Sequence, residues 1–164
     1  DSLLDYFSEA EINNKINSYL DKGYIYKSRD YYALTFDLDK FNTYDGVQII
    51  FKDKDKNYII QSIIGIQLMD IEKCYSQFNS IEKELDFFFK NSQKVDKEKR
   101  QHMYDKSGKS TTTDVYYYLT DGSYAAVVCT DWSKEIGDKH NWGDTLRIEM
   151  GTADFVAWYK DNAF

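Results

Sequence analysis

Proline is absent from this 164-residue chain, although average usage would supply several. Arginine is nearly absent as well: Arg29, Arg100 and Arg147 are the only arginines among 21 basic residues. Lys, Ile, Asn, Tyr and Phe are abundant and have AT-rich codons, whereas Pro and Arg largely do not. An AT-rich genome accounts for both scarcities without a structural demand. Cysteine occurs only at Cys74 and Cys129, which excludes a disulfide-dense miniature scaffold and any paired-cysteine zinc module. No apolar run nears the ~20 residues of a membrane-spanning helix. Positive charge is in deficit: the net charge is −7 and the pI ≈ 4.8. Such a chain repels phosphate backbones overall, which argues against general nucleic-acid binding. It suits a binding domain, or an inhibitor that presents carboxylates to a basic partner.

Against these absences stand 42% hydrophobic and 17% aromatic residues, a composition that excludes intrinsic disorder. A chain of this length buries roughly 70% of the surface its unfolded form exposes, enough for a core without metals. Nothing in the pattern suggests two cores, so residues 1–164 read as a single domain. The chain begins at Asp1 rather than Met, which is consistent with a removed leader. With an even pair of cysteines, this points to an oxidising, extracytoplasmic compartment, either periplasmic or secreted.

Ile12, Ile16, Tyr19 and Leu20 recur at helical spacing. Ser8 and Glu11 form a capping-box pair before them, and Gly23 stands where a C-cap glycine belongs. From Tyr24 the period becomes two: Tyr32, Leu34, Phe36 and Leu38, then Val47, Ile49 and Phe51, then the run Tyr58–Met69. Asp70 can cap a long central helix over about 70–90, whose stripe Ile71, Cys74, Phe78, Ile81, Leu85, Phe88 marks one buried face. Lys90–Lys109 holds seven basic residues against three acids. Residues 90–114 therefore read as a basic flexible link or edge segment, with any short strand near His102–Tyr104. Val115–Leu119 and Tyr124–Cys129 make a hairpin around Asp121-Gly122, the dipeptide of a type I′ turn. Residues 131–144 read as a polar loop, Leu146, Ile148 and Met150 as a last strand, and Thr152 as the cap of a short helix that turns Phe155, Trp158 and Tyr159 inward. The expected fold is α+β: a mainly antiparallel sheet of about six to eight strands, with an N-terminal, a long central and a short C-terminal helix packed on one face.

The chemical motifs are sparse. Cys74 on the buried stripe and Cys129 at the end of a strand beneath it fit a disulfide that staples helix to sheet. No protease-type signature surrounds either thiol. His102 and His140 lie singly in polar segments, without the short-spaced pairs that a zinc site uses, so no metal is expected. Asp53, Asp55 and Asn57 match the start of a calcium loop, but Tyr58 and Ile64 stand where the essential Gly and Glu belong. Gly108-Lys109-Ser110-Thr111 resembles the end of a phosphate loop but lacks the earlier glycine, Met103 being in its place. No cofactor is expected.

The candidate ligand site is the 131–144 loop. Trp132 and Trp142 lie there beside Asp131, Asp138, His140 and Asp144, a mixture that can stack on and hydrogen-bond a ligand such as a sugar. Tyr116 and Tyr118, on one face of a strand, are the second candidate surface. The leading expectation is a non-enzymatic exported domain that binds a protein or small ligand. An acidic inhibitor or immunity-type protein is the first alternative. A small hydrolase using Asp131, Asp138, His140 or Asp144 is the second.

Overall fold

A computed structural model describes residues 1–18, 29–36 and 43–162. Seven strands form one antiparallel sheet: β1 (Tyr31–Phe36), β2 (Gly46–Lys52), β3 (Ile60–Leu68), β4 (Gln93–Gln101), β5 (Thr111–Tyr118), β6 (Tyr124–Asp131) and β7 (Thr145–Gly151). Their spatial order is β1-β2-β3-β7-β6-β5-β4. Among the described residues there are four α-helices: α1 (Glu9–Ser18), α2 (Ile71–Phe88), α3 (Lys134–His140) and α4 (Ala153–Asn162). The expected α+β architecture is present, with helices near both termini and an 18-residue central helix.

Helices cover both faces of the sheet, not one. Side chains alternate along each strand, and the registers Leu34↔Ile49↔Ile63 and Val115↔Val127↔Ile148 define one common face. On this face α1 buries Ile12 against Leu34, Phe36, Val47 and Ile49. Beside it, α2 lays Cys74 and Phe78, both fully buried, on Val115, Tyr117, Val127, Cys129 and Leu146. Burying a side chain of Phe size is worth about 1.5–3 kcal/mol, so Phe78 is a principal anchor of α2. The opposite face carries α4, whose Phe155 packs on Tyr31, Ala33, Ile50 and Ile64. The sequence shows that α4 has an apolar side. It does not show which face that side meets.

The local signals held where short-range chemistry decides them. Ser8 and Glu11 make both halves of the capping box: the Ser8 N–H donates to Glu11 Oε2 at 2.8 Å, and the Glu11 N–H donates to Ser8 Oγ at 3.3 Å. Thr152 Oγ1 accepts from the Phe155 N–H at the start of α4. Asp55 accepts from the N–H groups of Asn57 and Ile59, both at 2.9 Å, which makes the 53–57 segment a self-bonded turn. Asp70 precedes α2 as its N-cap residue but makes no side-chain cap bond. Tyr19, Leu20, Gly23, Tyr24 and Leu38 lie outside the described residues.

Three segments differ from expectation. The β5–β6 turn places only Gly122 at positive φ (86°), and the Leu119 N–H donates to Ser123 O at 2.8 Å. This is a three-residue loop closed by a left-handed glycine, not a type I′ turn, which needs two such residues. The basic run is a nine-residue edge strand, β4, placed earlier than His102–Tyr104. Its lysines roof α2: Lys94 Nζ bonds Asp86 at 2.7 Å and Glu82 at 2.9 Å, Lys97 Nζ lies 4.3 Å from the centre of the Phe78 ring, and Lys99 Nζ bonds the Tyr75 hydroxyl at 3.3 Å. Their methylene stems cover apolar surface while the ammonium groups stay wet. Finally, the 131–144 segment contains α3, capped by Ser133 and closed by Asn141 at φ 56°.

At the end of the α2 stripe, Phe88 is 72% exposed, and Phe89 takes the inward place with its ring 6.0 Å from that of Tyr117. The cysteines are joined as expected, Cα to Cα 6.0 Å, and tie α2 to β6. Among the described residues, no helix is long and apolar enough to cross a membrane.

Candidate functional site

Two loops meet at one end of the sheet: 102–110, between β4 and β5, and 132–144, between β6 and β7. Asp105 ties them together. Its carboxylate accepts from the Ser107 N–H (2.9 Å), the Ser110 N–H (2.9 Å), Ser110 Oγ (2.6 Å) and Ser133 Oγ (3.1 Å). The hydroxyl and amide bonds from Ser110 and Ser107 hold its carboxyl well below the usual carboxylate range. Ser133 in turn caps α3 and donates its N–H to Ser110 Oγ at 3.0 Å. One anion thus orders both loops.

On this frame five rings assemble. His102 lies 4.3 Å from Trp132, Trp132 4.8 Å from Trp142, Trp142 4.6 Å from His140, and Tyr104 5.1 Å from Trp142 (ring centroids). His140 and Trp142 are stacked, and the Tyr104 hydroxyl reaches His140 Nε2 at 3.4 Å. The Tyr104 N–H donates to His102 Nδ1 at 3.2 Å. Burial and the nearby Arg147 guanidinium push the His102 pKa down, against the pull of Asp105, so its ring is neutral at pH 7. The rings support one another without being covered: Trp142 is 40% exposed and Tyr104 49%. Beside them opens a recess of about 410 Å³, lined by Trp132, Ser133, Lys134, Asp138, Asn141 and Asp144 among others.

The predicted residues therefore separate into groups. Trp132, His140 and Trp142 come together. Asp144 supports them from behind: its Oδ1 accepts from the Trp132 N–H at 2.8 Å, and burial raises its carboxyl pKa, with Asp131 adding repulsion. Asp131 contacts Thr111 Oγ1 at 3.4 Å, and Asp138 pairs with Lys134 at 2.6 Å one helical turn away. These acids and His140 are thus held by four different partners. Tyr116 and Tyr118 lie at the other end of β5, where their rings stack 6.1 Å apart and cluster with Tyr124. The sequence reading missed His102 and Tyr104, because the aromatic partners of the tryptophans come from a neighbouring loop. The serines flanking Asp105 were the available signal. Among the described residues, no group of three or more His, Cys, Asp or Glu is placed to hold a metal ion.

No protein-family model, curated protein or solved structure matches this chain.

Proposed function

We propose that the protein is an extracytoplasmic binding domain that receives a saccharide-type ligand on the aromatic platform of Tyr104, Trp132, His140 and Trp142. The carrying observation is the five-ring assembly, whose rings pack on one another yet leave Trp142 and Tyr104 substantially exposed. A contiguous exposed aromatic patch rimmed by polar groups, unlike a single exposed ring, marks an interaction site. Such a ring offers an apolar face to the C–H side of a sugar, while Asn141, Asp138, Lys134 and Ser133 around the recess supply donors and acceptors for its hydroxyls. The buried disulfide supports an oxidising compartment.

The test is a glycan array probed with the purified domain, followed by calorimetric titration of the glycans retained. Trp142→Ala should weaken binding by about thirty-fold, the effect of losing a contact hot spot of about 2 kcal/mol. An unchanged affinity refutes the platform. Retention of no glycan, together with tight and salt-sensitive capture of a basic protein, would instead favour the acidic-inhibitor reading.

A further inference from the structure

Beyond the platform, we propose that the adjoining sheet face forms a second subsite, built on Arg100 and Arg147, that makes the ligand a neutral oligosaccharide rather than a single sugar. This proposal rests on the platform reading above. The platform does not stand alone at the sheet end. The His102 N–H donates to Ser110 O, which extends the β4–β5 ladder by one bond, and the Ser133 N–H donates to the Ser110 side-chain hydroxyl, which ties the second loop to the first. By strand alternation His102 and Trp132 lie on the same face as Arg100, Thr112, Thr130 and Thr145, which occupy the adjacent row. The next row is Glu98, Asp114, Val128 and Arg147. Beyond it lie Tyr116 and Glu149, and then Tyr118 and Tyr124. Rows on one face recur about every 7 Å, so the arginine backbones stand one and two rows from the rings, with the Arg100 guanidinium reaching to Asp114 in the second row.

This face holds two of the three arginines in a chain that otherwise uses lysine. Each is oriented by a buried carboxylate: Arg100 Nη2 bonds Asp114 Oδ2 at 2.5 Å, and Arg147 Nε sits 3.4 Å from Glu149 Oε1. Asp114 and Glu149 are nearly inaccessible, while half of the Arg100 side chain and a third of that of Arg147 remain in contact with solvent. The Arg147 Nε–H is buried and makes no hydrogen bond among the described residues. A guanidinium has five N–H donors in a rigid fork, so one carboxylate contact leaves most of them unspent.

Donors and acceptors are interleaved. The two guanidiniums, the exposed Glu98 carboxylate and the half-buried Tyr116 face outward, over a buried layer of Thr112, Thr130, Asp114 and Glu149. Two positive charges meet three negative ones, so the face has no need of an anionic ligand. Sugar hydroxyls, each both donor and acceptor, match the guanidinium donors and the Glu98 acceptor. A chain of sugars laid from Trp142 over His102 and Trp132 would bring later rings to Arg100, on the edge strand β4, or to Arg147, on β7 three positions inward.

The experiment is calorimetric titration of the intact, oxidised protein with glucose, cellohexaose, maltohexaose, N-acetylglucosamine and chitohexaose. The proposal predicts that at least one hexasaccharide binds about ten-fold or more tightly than its monosaccharide, with little dependence on salt. Arg147→Lys keeps the charge but removes the planar fork, and should reduce the hexasaccharide affinity toward that of the monosaccharide. Arg100→Gln should act in the same direction, which guards against misfolding of either variant. Equal affinity for monomer and hexamer, with the Trp142→Ala loss intact, overturns the second subsite and leaves the platform standing. Loss in the arginine variants without loss in Trp142→Ala overturns the platform instead. Binding to none of these probes overturns both as stated, as does a requirement for an acidic glycan in the case of the subsite.

Discussion

Replacing Cys74 and Cys129 together by Ala should cost the domain about 4 kcal/mol. The figure follows from the 55-residue separation of the two cysteines: chain-entropy arithmetic gives about 14 cal/mol/K for closing such a loop, or about 4 kcal/mol at 25 °C. Alanine is the better replacement, because both sites are buried in an apolar cluster and serine would leave a hydroxyl there without water. For a domain of this size each kcal/mol shifts Tm by about 2–4 °C, so the loss should be roughly 8–16 °C. The assay is thermal and guanidinium unfolding of the oxidised, the reduced and the double-alanine protein. Guanidinium slopes should rise once the crosslink is gone, because the freed unfolded chain exposes more surface. Reduction alone should reproduce most of the effect, since it removes the loop constraint but not the sulfur atoms. A fall in Tm of less than about 3 °C would refute the claim that this bond restrains the unfolded chain. So would uptake of two alkyl groups by the native, unreduced protein.

Asp105→Asn should loosen both site loops at pH 7, because an amide cannot accept from all the donors that converge on this carboxylate. The wild-type carboxyl is depressed in the folded state, so its contribution is full above the unfolded value of about 3.9 and is lost as pH falls through the folded value. The stability gap between wild type and variant should therefore shrink below about pH 4, as chemical denaturation at stepped pH would show. A gap independent of pH would remove the role given to the charge. Gly122→Ala should destabilise by about 1 kcal/mol, since φ is +86° and the new Cβ would meet Ala153 Cβ at 3.1 Å. A neutral or stabilising result in urea unfolding would contradict the assigned turn.

The legible parts of the fold were those set by local chemistry or by a strong period. The stripe through Cys74 and Phe78, the Ser8–Glu11 box and the Thr152 cap were visible because each acts within a few residues. An edge segment was legible at 90–114, but the position and length of β4 were hidden because an edge strand buries little: its inward residues are lysines, whose stems cover α2 without registering as apolar. The side chosen by α4 was invisible because a helical stripe states that a face is buried and not against what. Trp132 and Trp142 stood out as two indoles in eleven residues. Their partners His102 and Tyr104 did not, since the loops meet only through the pairing of β4, β5 and β6 and the Asp105 bonds. Arg100 and Arg147 were scattered in sequence for the same reason: only the register brings them to one face.

The most direct measurement is an NMR titration of the three tryptophan indole N–H resonances with the hexasaccharides named above. Trp132 and Trp142 belong to the platform, whereas Trp158 packs on Tyr31 and Phe155 and donates its indole N–H to Asp30 at 3.0 Å. The account predicts saturable shifts at Trp142 and Trp132 while Trp158 stays fixed. Shifts confined to Trp158, or none at any indole, would contradict it.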